Sequence, residues 1–216
     1  VEVGEVGDRV GWVVVDEAIQ TILRREGYPN PYEALKEFTR IGDQHGITQM
    51  IHSVERLRGV DRESARQGVV TPVHLMVDTG MGRLGVQPVV AMEMIRAIQQ
   101  HRHVKLDGIA THFSSATERS RTFTERQFEW FARVVQTARS MGVEVRWVHA
   151  ANSAALQTLR KTHFNLVRPG IVLHGIDAGV ADDEPGMDLE PTLSLKTQVV
   201  YMKDVPEGTP VSYLRR

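Results

Sequence analysis

The chain has 216 residues, 26 Lys and Arg against 27 Asp and Glu, and a formal net charge of −1. That balance gives no general attraction to nucleic acid or to an anionic membrane, and no apolar run is long enough for a bilayer-spanning helix or reads as a signal peptide. With no cysteine, disulfides and thiol catalysis are excluded, which fits a cytoplasmic protein.

Residues 10–15 read as a short apolar strand, residues 17–26 as a helix, and residues 29–40 as a second helix with Pro31 at its start. The segment 73–86, VHLMVDTGMGRLGV, carries most information. His74 to Val77 fits a strand covered on both faces, and Asp78, Thr79, Gly80, Gly82 and Gly85 then break it into a tight loop. Arg83 lies inside that loop. A guanidinium fork on a rigid turn suits bidentate capture of a small carboxylate or phosphate, although a solvated loop arginine would look the same.

Three later segments repeat the plan of an apolar strand with a polar or glycine-containing end: 105–115 (KLDGIATHFSS), 145–154 (VRWVHAANSA) and 166–176 (LVRPGIVLHGI). Between them, Val89, Met92, Ile95 and Ile98 share one helix face, and Phe128, Phe131, Val135 and Ala138 share another. Thr124 and Gln127 read as a capping box for the second helix, and Gly142 marks its end. Alternating strands and helices predict right-handed βαβ units, a parallel sheet, and a site at the C-terminal ends of the strands of a (β/α) barrel.

The segments VDTGMGRLG, THFSSA, VHAANSAA, LVRPGI and VSY together resemble the alanine racemase family, whose enzymes depend on pyridoxal 5'-phosphate. The resemblance covers residues 73–213 and implies a TIM-type α/β barrel followed by a C-terminal β domain. By the same resemblance, Arg83 binds the cofactor's phenolic oxygen and the substrate carboxylate, Arg168 faces the pyridine nitrogen, and His149 orients Arg168. Asn152 and Ser153, with the amides of Gly170 and Ile171, match the phosphate cradle. Asn152 and Ser153 also read as a helix cap, and the two roles are compatible. His112 matches a histidine on the substrate side. Tyr213 matches an acid/base tyrosine that reaches the partner's site in the family's homodimer. The substrate implied is alanine, converted to D-alanine for peptidoglycan.

The sequence also departs from the family. The cofactor lysine belongs to a motif like KxNAYGHG, and the only lysine before Val73 is Lys36, in YEALKEF. Met76 stands where a lysine usually buttresses the equivalent of Arg83, Leu214 replaces a glycine, and His174 replaces a tyrosine. A complete barrel needs about 250 residues, so the chain reads as incomplete or rearranged. Its expected divisions are an atypical, mostly helical segment 1–67, a barrel portion 68–180, a linker 181–191, and the start of a β domain at 192–216. Residues 199–202 are expected there as a strand, and Pro206 to Gly208 as a turn. Residues 29–57 weakly resemble the C-terminal helices of adenylosuccinate lyase.

Two further readings compete with a racemase. One is a cofactor-holding or partner-binding relative without turnover. The other takes Asp78-Thr79-Gly80 as an aspartic protease triplet, against which Met81 and the helix-strand alternation both argue. His101 and His103 have a metal-pair spacing, but they follow a helix whose C-terminal end favours such cations, and the same applies to His45 and His52, so no metal is expected.

Overall fold

The computed structural model describes residues 13–14, 47–179, 187–192 and 194–210. Five strands form one sheet in the order of the sequence, and each is parallel to its neighbours: β1 (Val13–Val14), β2 (Thr48–Ile51), β3 (Thr71–Met76), β4 (Val104–Ala110) and β5 (Trp147–His149). Sequential order without a reversal is the winding of a (β/α) barrel, since a doubly wound sheet would reverse at a switch point. The described strands are therefore part of a TIM-type barrel. No helix among the described residues is long and apolar enough to cross a membrane.

Helix α1 (Val54–Gln67) joins β2 to β3. Ser53 caps it by accepting from the Arg56 amide, and Gly68 closes it in the left-handed conformation at φ 69°. Its buried residues Leu57, Val60 and Ser64 face the sheet, and the Ser64 hydroxyl is 2.7 Å from that of Thr71 in β3. Helix α2 (Ala91–Gln100) buries Ala91, Met94, Ile95 and Ile98, and α3 (Thr122–Ser140) buries Phe131, Val134, Val135 and Ala138. These faces meet Val73, Leu75, Ile109 and Val148 in the main core.

The opposite face of the sheet is the barrel interior. There Met50, Met76 and Ala110 form a separate apolar cluster with Leu84. Across the strands Met76 is in register with Ala110 and His149, and His74 with Gly108 and Trp147. Val73 pairs with Leu106 but His74 pairs with Gly108, so Asp107 is the extra residue of a bulge. That bulge restores the alternation and turns Gly108 toward the same face as His74.

Several expectations are corrected. In α2 the buried face runs through Met94, and Val89 is 80% exposed in a 3-10 turn, Pro88–Val90, that precedes the helix. Thr124 and Gln127 are not a capping box, because α3 starts earlier, at Thr122, with no side-chain cap. Residues 166–176 do not form a strand. Leu166 makes an isolated bridge to His149, and Ile171–His174 is a 3-10 turn. Pro169 has no N–H to give a ladder, which stops pairing there. The segment 1–67, expected to be mostly helical, contains a strand, β2, whose polar Gln49 hides it in the sequence. Gln49 is buried because Arg56 donates to its side-chain oxygen at 2.7 Å.

The strand expected at 199–202 is absent. These residues have no regular structure, and Val200 is 93% exposed. The turn that follows does form, with the Thr209 amide donating to the Pro206 carbonyl. The described parts of the linker are irregular. The helices expected at 17–26 and 29–40 lie outside the described residues, as does Tyr213.

Phe131 is the largest α3 side chain in the core, fully buried and edge-on to Phe164 at 5.5 Å between ring centroids. Truncating it leaves a cavity that helix and sheet cannot both close around. Phe131→Ala is expected to cost about 3–5 kcal/mol, read from the urea midpoint, and a loss below about 1 kcal/mol would contradict this packing.

Candidate active site at the strand ends

The Asp78 carboxylate fixes the glycine-rich loop after β3 by accepting from the amides of Gly80 at 2.9 Å and Gly82 at 3.1 Å. It is occupied as a turn cap, which leaves the protease reading without support. Gly85 has φ 120°, and a Cβ there would stand 2.6 Å from the Asp78 nitrogen. The loop therefore folds back on β3, closed by paired bonds between Val86 and residues 76 and 78. Arg83 is exposed on this loop and makes no salt bridge among the described residues. Met76, where the family's buttressing lysine would stand, is 8% exposed in the apolar cluster.

Gln127 was missed as a site-building residue. It projects from α3 to donate to the Thr79 hydroxyl and the His112 carbonyl, and it accepts from the Ser114 amide at 3.1 Å. Thr79 and Thr111 join their hydroxyls at 2.7 Å. One buried helix residue thus ties the loop after β3 to the segment after β4. Its sequence signal was a glutamine on the apolar face of a helix, which needs partners if it is buried.

Arg168 stands at the centre. Its guanidinium donates to the Thr111 carbonyl at 2.6 Å, the Ala150 carbonyl at 3.4 Å, Nδ1 of His112 at 3.3 Å and Nδ1 of His149. Burial lowers its pKa to about 10. The histidines around it are pushed much further. Burial, then Arg168, then His74 bring His149 to about 2. Burial, then Arg168, then Arg83 bring His112 to about 4. Behind His149, its Nε2 lies 2.9 Å from Nδ1 of His74, a residue that sequence reading counted only as part of the apolar run.

Asn152 and Ser153 open α4 (Ser153–Thr158). The Asn152 side chain accepts from the Ala155 amide at 3.1 Å, so it is a helix cap, and it donates to the Phe113 carbonyl at 3.3 Å. The Ser153 hydroxyl accepts from the Gly170 amide at 2.8 Å. Gly170 and Ile171 begin the turn Ile171–His174, which has no side-chain cap. Arg168, His149, His112, Asn152, Ser153, Gly170 and Ile171 thus gather at one end of the sheet, with Arg83 near enough to His112 to depress its pKa.

These pKa shifts give the chain a definite acid sensitivity. In the folded chain His74 (about 4), His112 (about 4) and His149 (about 2) stay neutral at pH values where histidines of an unfolded chain, near 6.5, take up protons. The stability from these depressed values is present above pH 6.5 and is lost as pH falls toward 4. Each histidine can contribute up to about 1.4 kcal/mol per pH unit in that window. The urea midpoint should fall steadily from pH 6.5 to 4.5, and less steeply in His112→Asn. A flat midpoint would contradict neutral burial.

A family model described as the alanine racemase N-terminal domain matches residues 5–178, a span that includes residues 29–57. The chain is 33% identical to the alanine racemase of Halothermothrix orenii over 209 residues, covering 95% of this chain and 54% of that protein. It is 39% identical to the alanine racemase of Geobacter sulfurreducens over 216 residues, covering 95% and 55%. Among solved structures, the alanine racemase of Clostridium difficile 630 superposes with a TM-score of 0.74 at 26% identity, covering 96% of this chain and 56% of that one. The chain spans about half the length of the curated relatives it matches. A family-wide match over most of the chain, on a parallel barrel whose strand ends gather these residues, means that the chain belongs to the alanine racemase family.

Proposed function

We propose that this chain forms the cofactor and substrate side of an alanine racemase, an isomerase that interconverts L-alanine and D-alanine with pyridoxal 5'-phosphate and supplies D-alanine for peptidoglycan. The observation that carries the reading is the Arg168 guanidinium, held at the strand ends entirely by neutral acceptors: two carbonyls and two imidazoles. Its charge is left for a ligand.

The residues present fit the cofactor. The turn Ile171–His174 has no side-chain cap, and the Ser153 hydroxyl, which accepts from the Gly170 amide, keeps its own O–H to donate to a phosphate. Asn152 supports this cradle indirectly, by capping the helix that presents Ser153. When bound, pyridoxal 5'-phosphate supplies the electron sink that acidifies the α-hydrogen of an amino acid. Arg168 offers the pyridine nitrogen a hydrogen bond and keeps its own proton, which limits that sink and favours racemisation over transamination. His149 holds Arg168 in plane from behind. Arg83 receives the substrate carboxylate, and His112, kept neutral by burial, feels the charge of both arginines. Tyr213 serves as an acid/base group in the partner's site of a cytoplasmic homodimer.

One observation favours the reading without turnover for these 216 residues by themselves. Among the described lysines, Lys161 pairs with Glu125 on the surface, Lys105 lies in the first half of β4, away from the ends that gather Arg168, and Lys196 and Lys203 lie on the exposed segment after the barrel. Covalent catalysis needs an amine at the cofactor.

Titration of the 216-residue chain should therefore show binding of pyridoxal 5'-phosphate and far weaker binding of pyridoxal. Ser153→Ala should weaken the former about ten-fold, as expected when about 1.5 kcal/mol of hydrogen bonding to a charged group is lost. Borohydride should leave no stoichiometric lysine adduct, and alanine should not be racemised. Equal binding of the two compounds would sink the cradle assignment.

A second measurement concerns Arg83 in an active enzyme that carries this chain. Arg83→Ala should raise KM for alanine and lower kcat/KM by about 1.5–3 kcal/mol, the contribution of a charge-assisted bond to carboxylate. Unchanged kinetics would remove Arg83 from the substrate site.

A further inference from the structure

The buried nitrogens behind Arg168 form a chain whose proton positions follow from hydrogen-bond bookkeeping. A guanidinium can only donate. His149 Nδ1, in contact with Arg168, must therefore be an acceptor, so the proton of the neutral ring sits on Nε2. That N–H points at Nδ1 of His74, 2.9 Å away, which must accept. The proton of His74 is then on its Nε2, a buried atom with no hydrogen-bond partner.

An unpartnered N–H on a side chain only 2% exposed is a cost that an apolar residue at position 74 would avoid. The surrounding backbone is nevertheless shaped to keep the ring. His74 and His149 lie on β3 and β5, with β4 between them, and their rings meet over β4 at 4.9 Å between centroids. They can do so because β4 presents Gly108 and Ala110 on that face. A Cβ at position 108 would come within 2.5 Å of the His74 ring, and the Asp107 bulge sets Gly108 in register with it.

We propose that His74 is a positioning residue for the racemase site: it accepts the His149 Nε2 proton, locks the tautomer and plane of His149, and through them fixes the Arg168 guanidinium. Without that acceptor, the His149 N–H would be unpaired in the barrel interior. The ring would relieve this by moving its proton or turning, and either change takes the acceptor away from Arg168. The inference rests on the proposed role of Arg168, but the proton positions can be read without cofactor or turnover.

The test is long-range proton–nitrogen NMR of the 15N-histidine-labelled chain at pH 7.5, assigned with single histidine variants. Both His74 and His149 should show an unprotonated Nδ1 and a protonated Nε2. His74→Phe keeps the ring volume and removes the acceptor, so the His149 Nδ1 signal should shift toward the protonated range and affinity for pyridoxal 5'-phosphate should fall several-fold. His74→Asn places a side-chain oxygen near the lost Nδ1 and should restore both. A wild-type His149 that carries its proton on Nδ1 would overturn the proposal, and that measurement needs no variant to fold. An unshifted His149 signal in a folded His74→Phe would overturn it as well. Correct tautomers in a chain indifferent to the cofactor's phosphate would instead sink the function proposed above and leave the histidine relay standing.

Discussion

A guanidinium set at the ends of parallel strands dictates much of this structure. Arg168 has lost much of its water and bonds no carboxylate among the described residues, so carbonyls and imidazole nitrogens supply its acceptors there. Strand ends are suited to this, because a strand that stops pairing leaves carbonyls available. Thr111 and Ala150 each follow the last residue of a strand, β4 and β5, and both give their carbonyls to the same cation. The segment after β5 is anchored in turn by the Arg168 amide, which donates to the Ala151 carbonyl at 2.9 Å. The cation and the end of the sheet hold each other in place.

Side-chain size on β4 is the second constraint. The middle strand of the trio carries Gly108 and Ala110 on the interior face, where its neighbours carry His74, Met76 and His149. Large residues can fill a barrel only if adjacent strands yield space. Here the yielded space is shared: the polar pair His74 and His149 occupies part of it, and the cluster of Met50, Met76 and Ala110 another. The helix-facing side is mostly apolar, and its buried polar residues Gln49 and Thr71 bond side chains of α1.

Legibility from sequence followed the range of the interactions involved. The glycine loop, the βα alternation and the residues around Arg168 could be read because motifs concentrate local geometry: Asp78 caps amides within four residues of itself, and Gly142 ends its own helix. What failed depended on partners far along the chain. Gln127 looked like half of a capping box because its true partners, Thr79 and Ser114, lie on other elements. Strand β2 was hidden by Gln49, whose burial is accompanied by a hydrogen bond from Arg56. His74 blended into an apolar run, since nothing local indicates that a histidine from β5 will meet it across a glycine. The strand expected at 199–202 failed for the converse reason: its residues suit a ladder, but no described strand pairs with them.

Among the described residues no carboxylate bonds Arg168 and no salt bridge holds Arg83, which ties the electrostatics to the proposed chemistry. A paired cation is already satisfied, whereas one held by neutral dipoles still projects its field. The depressed histidines follow first from burial and then from that field, which together keep both His112 and His149 neutral. Neutral imidazoles can accept from Arg168, and that acceptance leaves its charge undiminished. Met76 acts in the same direction, because an apolar neighbour in the barrel interior neither adds nor removes charge near the loop that bears Arg83. Among the described residues no carboxylate neutralises either arginine, so the electrostatic complement of this end of the sheet is negative charge, as the proposed function requires. A phosphate at one end and a carboxylate at the other would meet that requirement.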